Sequence, residues 1–241
     1  MLLPVRMRGM ARESVFRVAA LLYTGKRVSC PCCGHTFRKF IRIARWDHRC
    51  PRCGSHARHR VLVLYLRERT RTLGETGKPR ILHVAPEPSI TPLLREVGGD
   101  QYVSVDLESH EADLRADLTA LPFPDDSFDL IVCSHVLEHI EDDRLALREL
   151  ARATARGGET IIVVPIKLPE TFEDPAIRGP KERQRVFGQP DHVRVVGTDY
   201  IQRIRDAGFA VELRDYVEHL PRETIVRHGL VKGEPFYLCQ K

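Results

Sequence analysis

The chain has 241 residues, 42% of them hydrophobic and 29% charged, the balance of a globular protein with one large domain or a domain plus an appendage. No window approaches the roughly 18 consecutive apolar residues that a membrane-spanning helix needs, which excludes that class. The net charge of +5 hides an asymmetry: residues 1–80 hold 19 of the 38 basic residues but 4 of the 33 acidic ones. A basic front fits an anionic partner such as RNA, an acidic substrate or a membrane surface, and it equally fits cations that solvate a small domain or face the acidic remainder.

The first 27 residues are basic with a short apolar run that Arg17 interrupts, and no small-residue cleavage site follows, so a secretory signal is not expected. Residues 11–24 have the spacing of an amphipathic helix, with Val15, Val18, Ala19 and Leu22 on one face. Such a helix serves a membrane surface or a partner, or packs on its own protein. Residues 28–54 then carry two C-x-x-C-G knuckles, Cys30 with Cys33 and Cys50 with Cys53. Each knuckle aims two thiolates inward, and Gly34 and Gly54 relieve the tight backbone. Four thiolates at this spacing make a zinc ribbon whose coordination is complete, so the expected zinc is structural. Phe37, Arg38, Lys39, Phe40, Arg42, Arg45 and Trp46 lie between the knuckles. Aromatics interleaved with cations suit a nucleic-acid surface, and they suit a docked ribbon covering itself. The other three of the seven cysteines show no disulfide spacing, which points to a reducing compartment, the cytoplasm.

Residues 55–73 read as a helix capped by Ser55, with Val61, Leu62, Leu64, Tyr65 and Leu66 as its apolar face. A strand is expected over 80–85, a helix over 91–97 closed by Gly98 and Gly99, and a strand over 102–105 ending in Asp106. A carboxylate at a strand end of this kind can accept both hydroxyls of a ribose. Phe128 to Cys133 is an apolar, β-branched run bounded upstream by Pro122, Pro124 and an Asp-Asp-Ser turn, so it reads as a buried parallel strand. A helix is expected to start near Ser134 and His135, and polar residues at such a junction either cap the helix or line a ligand site.

Residues 121–140, with LPFPDDSFDLI followed by VLEHI, strongly resemble the core of class I S-adenosylmethionine-dependent methyltransferases of the type 11 kind. The resemblance covers residues 80–241. It implies an α/β fold: a Rossmann-like, seven-stranded and mostly parallel sheet whose last strand is antiparallel, here with the small zinc ribbon in front. The implied organisation is a basic helix over 1–27, the ribbon over 28–54 and the methyltransferase domain over 55–241. The family's first strand carries an acidic residue followed by three glycines at alternate positions; this chain has His83, Ala85, Glu87 and Ser89, with Pro86 and Pro88 between them. Ala85 and Ser89 are small enough for part of the close approach that glycines allow. Glu87 is the expected substitute carboxylate for the cofactor's ammonium group. By the same resemblance Asp106 serves the ribose, Asp117 and Leu118 the adenine, and Ser134 lies beside the cofactor.

A helix follows over 141–156, ended by Gly157 and Gly158, then a fifth strand over 160–166. Residues 167–198 form a long insertion at the ligand face, expected to lid the substrate pocket. A crossover helix over 199–207 and closing strands over 209–216 and 235–239 complete the sheet. Methyl transfer to a neutral hydroxyl or amine also needs a proton acceptor. His135, just past the fourth strand, is the first candidate and His192, on the insertion, the second. Arg194 is expected to hold an anionic group of the acceptor, and His139 with Glu138 to pack against or orient it.

Two functions therefore stand: a methyltransferase using S-adenosylmethionine and a structural zinc, acting on a small molecule or saccharide or on RNA through the basic front; or a non-catalytic zinc-ribbon protein that binds nucleic acid on a degenerate methyltransferase scaffold. The altered first motif favours the second, and Asp106, Asp117 and the SFDLIVCSHVLEHI run favour the first.

Overall fold

The computed structural model describes residues 16, 19–43, 48–74 and 77–241. Most of the expected N-terminal helix falls outside them, as do Arg45 and Trp46; residues 19–22 are helical. The chain divides into two compact units, one of residues 1–72, 88–93 and 215–234, the other of residues 73–87, 94–214 and 235–241.

In the first unit, β1 (Thr24–Ser29) pairs antiparallel with β2 (Thr36–Phe37), and β3 (Ile41–Arg42) with β4 (His48–Arg49). These strands are too short to bury much, and their core is Val28, Phe37 and Phe40 together with Cys30 and Cys50. The helix Ala57–Gly74 begins two residues later than its sequence suggests. Ser55 is fully buried and turns its hydroxyl to the sulfurs of Cys30 and Cys53, 3.3 Å from each. A segment that the sequence left unread, residues 217–234, supplies a further helix, Arg222–His228. Arg60, with no exposed surface, joins the pieces: its guanidinium donates to the carbonyls of Ser55, His228 and Gly229 at 2.7–2.8 Å and stacks over Phe40 at 4.1 Å. Gly229 ends the helix at φ +57, where a side chain would be strained and would collide with the Phe40 ring.

The second unit is built on a seven-stranded sheet. Its strands are β5 (Ile81–Val84), β6 (Tyr102–Asp106), β7 (Leu114–Arg115), β8 (Phe128–Ser134), β9 (Thr154–Val163), β13 (Ala210–Arg214) and β14 (Phe236–Gln240). A separate three-stranded sheet holds β10 (Ile166–Leu168), β11 (Phe172–Glu173) and β12 (Arg194–Gly197). The order in the large sheet is β13-β14-β9-β8-β5-β6-β7. All pairings from β9 to β7 are parallel, while β14 runs antiparallel to both its neighbours. The expected α/β sheet with a reversed last strand is therefore present. Central β8 and β5 are buried on both faces, which is why they read as unbroken apolar runs. Leu82, Ile131, Leu147, Ile162 and Tyr237 meet in one core, where each buried aliphatic side chain stabilises by about 1.5–3 kcal/mol. The helix Asp143–Ala153 presents Ala146, Leu147, Leu150 and Ala151 to that core and is capped by Asp142, whose Oδ1 accepts from Leu145 N at 2.9 Å.

Two expectations are corrected in this region. No α-helix starts at Ser134: β8 runs through it, His135 takes a left-handed φ of +55, and a short 3₁₀ turn, Leu137–His139, follows. Nor do Gly157 and Gly158 end a helix. The helix stops at Ala153, where the Thr154 hydroxyl holds the Leu150 carbonyl at 2.6 Å, and both glycines lie inside β9 beside a shift in the β8–β9 register. Gly158 approaches the carbonyls of Ala155 and Phe128 too closely for any side chain. The strand accordingly ends at Val163, three residues early. The insertion has regular structure, with β10 and β11 flanking β12 and a helix of about two turns, Pro180–Val186, between β11 and β12.

Candidate active site

Parallel β5, β6 and β8 lie side by side, so the residues that leave their carboxyl ends share one edge of the sheet. Ala85 follows β5, Asp106 closes β6, and Ser134 closes β8 with His135 behind it. Ligands of open α/β sheets bind at this edge. Ala85 adopts φ +47, a conformation usual for glycine, and its N–H donates to the Val105 carbonyl at 2.8 Å. Ala85 thus takes a backbone conformation that glycine adopts freely, with only a methyl group as its side chain. Half-buried Glu87 follows within two residues.

His83 has no exposed surface; its Nδ1 lies 3.1 Å from the Tyr102 hydroxyl and its Nε2 has no partner. Burial pushes its pKa down to about 4, against the weaker opposing pull of Glu87. His83, expected among the cofactor contacts, is thus a neutral, enclosed imidazole in the core of the sheet.

Asp106 is half-buried, and its Oδ1 accepts from the N–H groups of Glu108 and Ser109 at 2.8 and 2.7 Å. That fixes the carboxylate while Oδ2 remains for another donor. Asp117 is exposed; its Oδ1 accepts from Thr119 N and Oγ1, and the backbone bond in particular holds its pKa below the ordinary carboxylate value. Leu118 beside it is buried, as is Ser134.

Past β8, His135 Nδ1 lies 3.0 Å from Oε1 of Glu138, which is 1% exposed; His135 Nε2 and Glu138 Oε2 are both buried without partners. His139 Nδ1 sits 3.2 Å from Asp191 Oδ2, and its ring meets that of buried His192 edge-on at 4.7 Å. Burial, and after it the neighbouring His139, lowers the pKa of His192. The insertion thus brings His192 to the turn that carries Glu138 and His139, a meeting across more than fifty residues that spacing alone could not show.

Arg194 is placed otherwise than expected. It is 2% exposed, and its guanidinium donates to the carbonyls of Leu137, Ile140 and Glu141 at 2.6–3.0 Å and to Glu173 at 3.0 Å. Asp143 lies 3.5 Å away, itself bonded by Tyr200 and Arg203. Each guanidinium nitrogen is engaged inside the fold, so Arg194 braces the turn. Asp143, Glu173 and Arg203, which complete the brace, carry no sequence signal of their own.

In the other unit, Cys30, Cys33, Cys50 and Cys53 bring their sulfurs within 4.8 Å of one another. The knuckles are alike: Gly34 N donates to Cys30 O and Gly54 N to Cys50 O, while Cys30 N and Cys50 N donate to His35 O and Ser55 O. Gly34 and Gly54 have φ +73 and +68. Four sulfurs this close cannot all ionise without a cation among them, so the donor set fits a four-coordinate thiolate metal site.

Residues 70–162 match the family model described as a methyltransferase domain. Among curated proteins, the uncharacterized methyltransferase YcgJ of Bacillus subtilis (strain 168) is 37% identical over 75 residues, 31% of this chain and 28% of that protein. Ajmaline N-methyltransferase of Rauvolfia serpentina is 30% identical over 67 residues, 28% of this chain and 23% of that protein. The chain thus spans less than a third of the length of these two curated relatives. Among solved structures, the CurJ carbon methyltransferase shares the fold, with TM-score 0.50 and 13% identity over 74% of this chain and 52% of that one. Over residues 70–162, the segment that holds β5, β6 and β8, the chain is thus similar to methyltransferase domains.

Proposed function

We propose that the chain transfers a methyl group from S-adenosylmethionine to an oxygen or nitrogen of a small-molecule or saccharide acceptor. The observation that carries this reading is the shared edge of β5, β6 and β8, where Ala85, Asp106 and Ser134 leave three adjacent parallel strands inside a segment that matches a methyltransferase domain. The cofactor supplies an electrophilic methyl on a sulfonium, so the protein's work is to hold, orient and exclude water. The left-handed bend at Ala85 lets the backbone come close, and Glu87 offers a carboxylate to an ammonium group. Asp106, pinned through Oδ1, presents Oδ2 to ribose hydroxyls. Leu118 offers an apolar face to adenine and Asp117 an acceptor to its amino group. The unpartnered Nε2 of His135 is the place for a proton leaving the acceptor, with Glu138 holding the ring from the other side. His192 is the second candidate for that role.

The insertion over 167–198 covers the acceptor. The acceptor need not be anionic, because Arg194 is committed to the fold. A small-molecule acceptor accords with the name of ajmaline N-methyltransferase, whereas nothing in these relatives' names favours a non-catalytic nucleic-acid module or an RNA acceptor. Cys30, Cys33, Cys50 and Cys53 hold a structural zinc with no open position. Reduced thiols throughout accord with a cytoplasmic setting, and among the described residues no helix is long and apolar enough to cross a membrane.

Ultraviolet crosslinking of methyl-labelled S-adenosylmethionine to the full chain tests this without knowledge of the acceptor. The parent should label and unlabelled S-adenosylhomocysteine should compete. Asp106→Ala should weaken competition about 10- to 100-fold, the worth of a charged hydrogen bond, and Glu87→Ala should weaken it as well. Labelling that neither substitution changes would remove both residues from the site.

A further inference from the structure

The geometry points to a second metal centre in this chain, a divalent transition-metal site made by Glu138, His139 and His192. One ligand atom from each lies within 4.8 Å of the other two. Two imidazoles and one carboxylate are the donors that zinc and its first-row neighbours prefer, and three protein ligands leave coordination open for a substrate or water.

Three further observations support a ligand there. First, Glu138 is 1% exposed, yet its Oε2 has no hydrogen-bond partner. A buried carboxylate oxygen left bare is costly, and a cation between it and two imidazoles would relieve that cost. Second, the outer contacts orient the ligands. His135 Nδ1 holds Glu138 Oε1 at 3.0 Å, which turns Oε2 away from it. Asp191 Oδ2 takes Nδ1 of His139 at 3.2 Å, which leaves Nε2 with its lone pair free for a metal. Carboxylate–histidine pairs of this type commonly stand behind metal ligands. Third, the backbone is pre-organised. Val193 N donates to the Glu138 carbonyl at 3.0 Å, and Arg194 clamps the carbonyls of Leu137, Ile140 and Glu141. The two segments that bring the ligands are therefore bolted together on both sides of them.

A cation here would sit beside His135, past the carboxyl end of β8. It would act as a Lewis acid on an acceptor hydroxyl, lowering its pKa so that the proton passes to His135 Nε2 as the oxygen attacks the methyl carbon and the carbon–sulfur bond breaks. His192 would then be a ligand and not a base. This use of the metal rests on the methyltransferase reading above; metal binding itself does not.

Zinc is the probe. The full chain is dialysed against buffered zinc, and bound metal per chain is measured for the parent and the His139→Ala/His192→Ala double variant, each checked by circular dichroism. The parent should hold one equivalent more than the variant, a difference that stands whatever the cysteines bind. Asp191 is 62% exposed, so Asp191→Ala should fold as the parent does and bind the extra zinc about tenfold more weakly. Equal stoichiometry in parent and folded double variant, or an Asp191→Ala protein with unchanged zinc affinity, would overturn the site. If the double variant does not fold, the Asp191→Ala affinity decides. Zinc bound as expected by a chain that fails to bind S-adenosylhomocysteine would keep the metal site and remove its catalytic use.

Discussion

Arg194→Lys separates a brace from a substrate contact, because it keeps the charge and removes the fork. In the native fold Nη1 lies 2.6 Å from both Leu137 O and Ile140 O, Nη2 lies 3.0 Å from Glu141 O, and Nε lies 3.0 Å from Glu173. A lysine ammonium is a compact point charge that can serve one corner of that square. At least two buried carbonyls lose their donor, at about 1–2 kcal/mol each, so the substitution should cost about 3 kcal/mol. For a protein of this size that lowers the melting temperature by roughly 6–12 °C. Differential scanning fluorimetry reads the shift, and circular dichroism of the residual fold confirms that the loss is cooperative. Zinc affinity at Glu138, His139 and His192 should fall with it, because the same carbonyls fix that turn. A lysine variant that melts within about 2 °C of the parent while losing methyl transfer would refute the brace and restore Arg194 as an acceptor contact.

Other consequences are equally open to measurement. If the proposed zinc is bound, adding a chelator should make Cys30, Cys33, Cys50 and Cys53 reactive toward a thiol dye. Cys133 and Cys239, which burial renders poor acids, should stay protected; an unchanged reactive-thiol count on chelation would contradict a metal there. His83, neutral in the fold with a pKa of about 4 against 6.5 unfolded, binds fewer protons folded than unfolded between those values. Stability is therefore retained above pH 6.5 and lost as pH falls toward 4, by about 3 kcal/mol in all. Urea midpoints of the parent should show a steeper decline across that window than those of His83→Gln, and parallel curves would show that the imidazole is not held neutral.

Periodicity and punctuation made most of the sheet legible. The apolar runs at 81–84 and 128–133 read as strands and are buried on both faces, and the spacing of the knuckles foretold that their four cysteines would meet. The boundaries that failed did so where a local signal was overruled. Gly157 and Gly158 look like a helix stop, yet both lie inside β9, where Gly158 serves a close approach to the Phe128 carbonyl and Gly157 takes a φ of +74. His135 looked like a helix start, yet a left-handed residue and a 3₁₀ turn stand there. Ala85, Asp106 and Ser134 were readable as candidates because strand ends are where α/β folds place ligands. The contacts of Arg194 were not legible, because three of its partners are main-chain carbonyls, which no side-chain pattern reveals, and Glu173 reaches it only through the fold. Glu138 and His139 were visible as a motif, but their meeting with His192 and Asp191 depends on how the insertion folds back.

The most direct trial is calorimetric titration of the full chain with S-adenosylhomocysteine. The chain should bind one equivalent, and Asp106→Ala should lose most of that affinity while its circular dichroism shows it still folded. No heat of binding from a folded parent would contradict the claim that a left-handed alanine and a glutamate serve here in place of a glycine-rich loop.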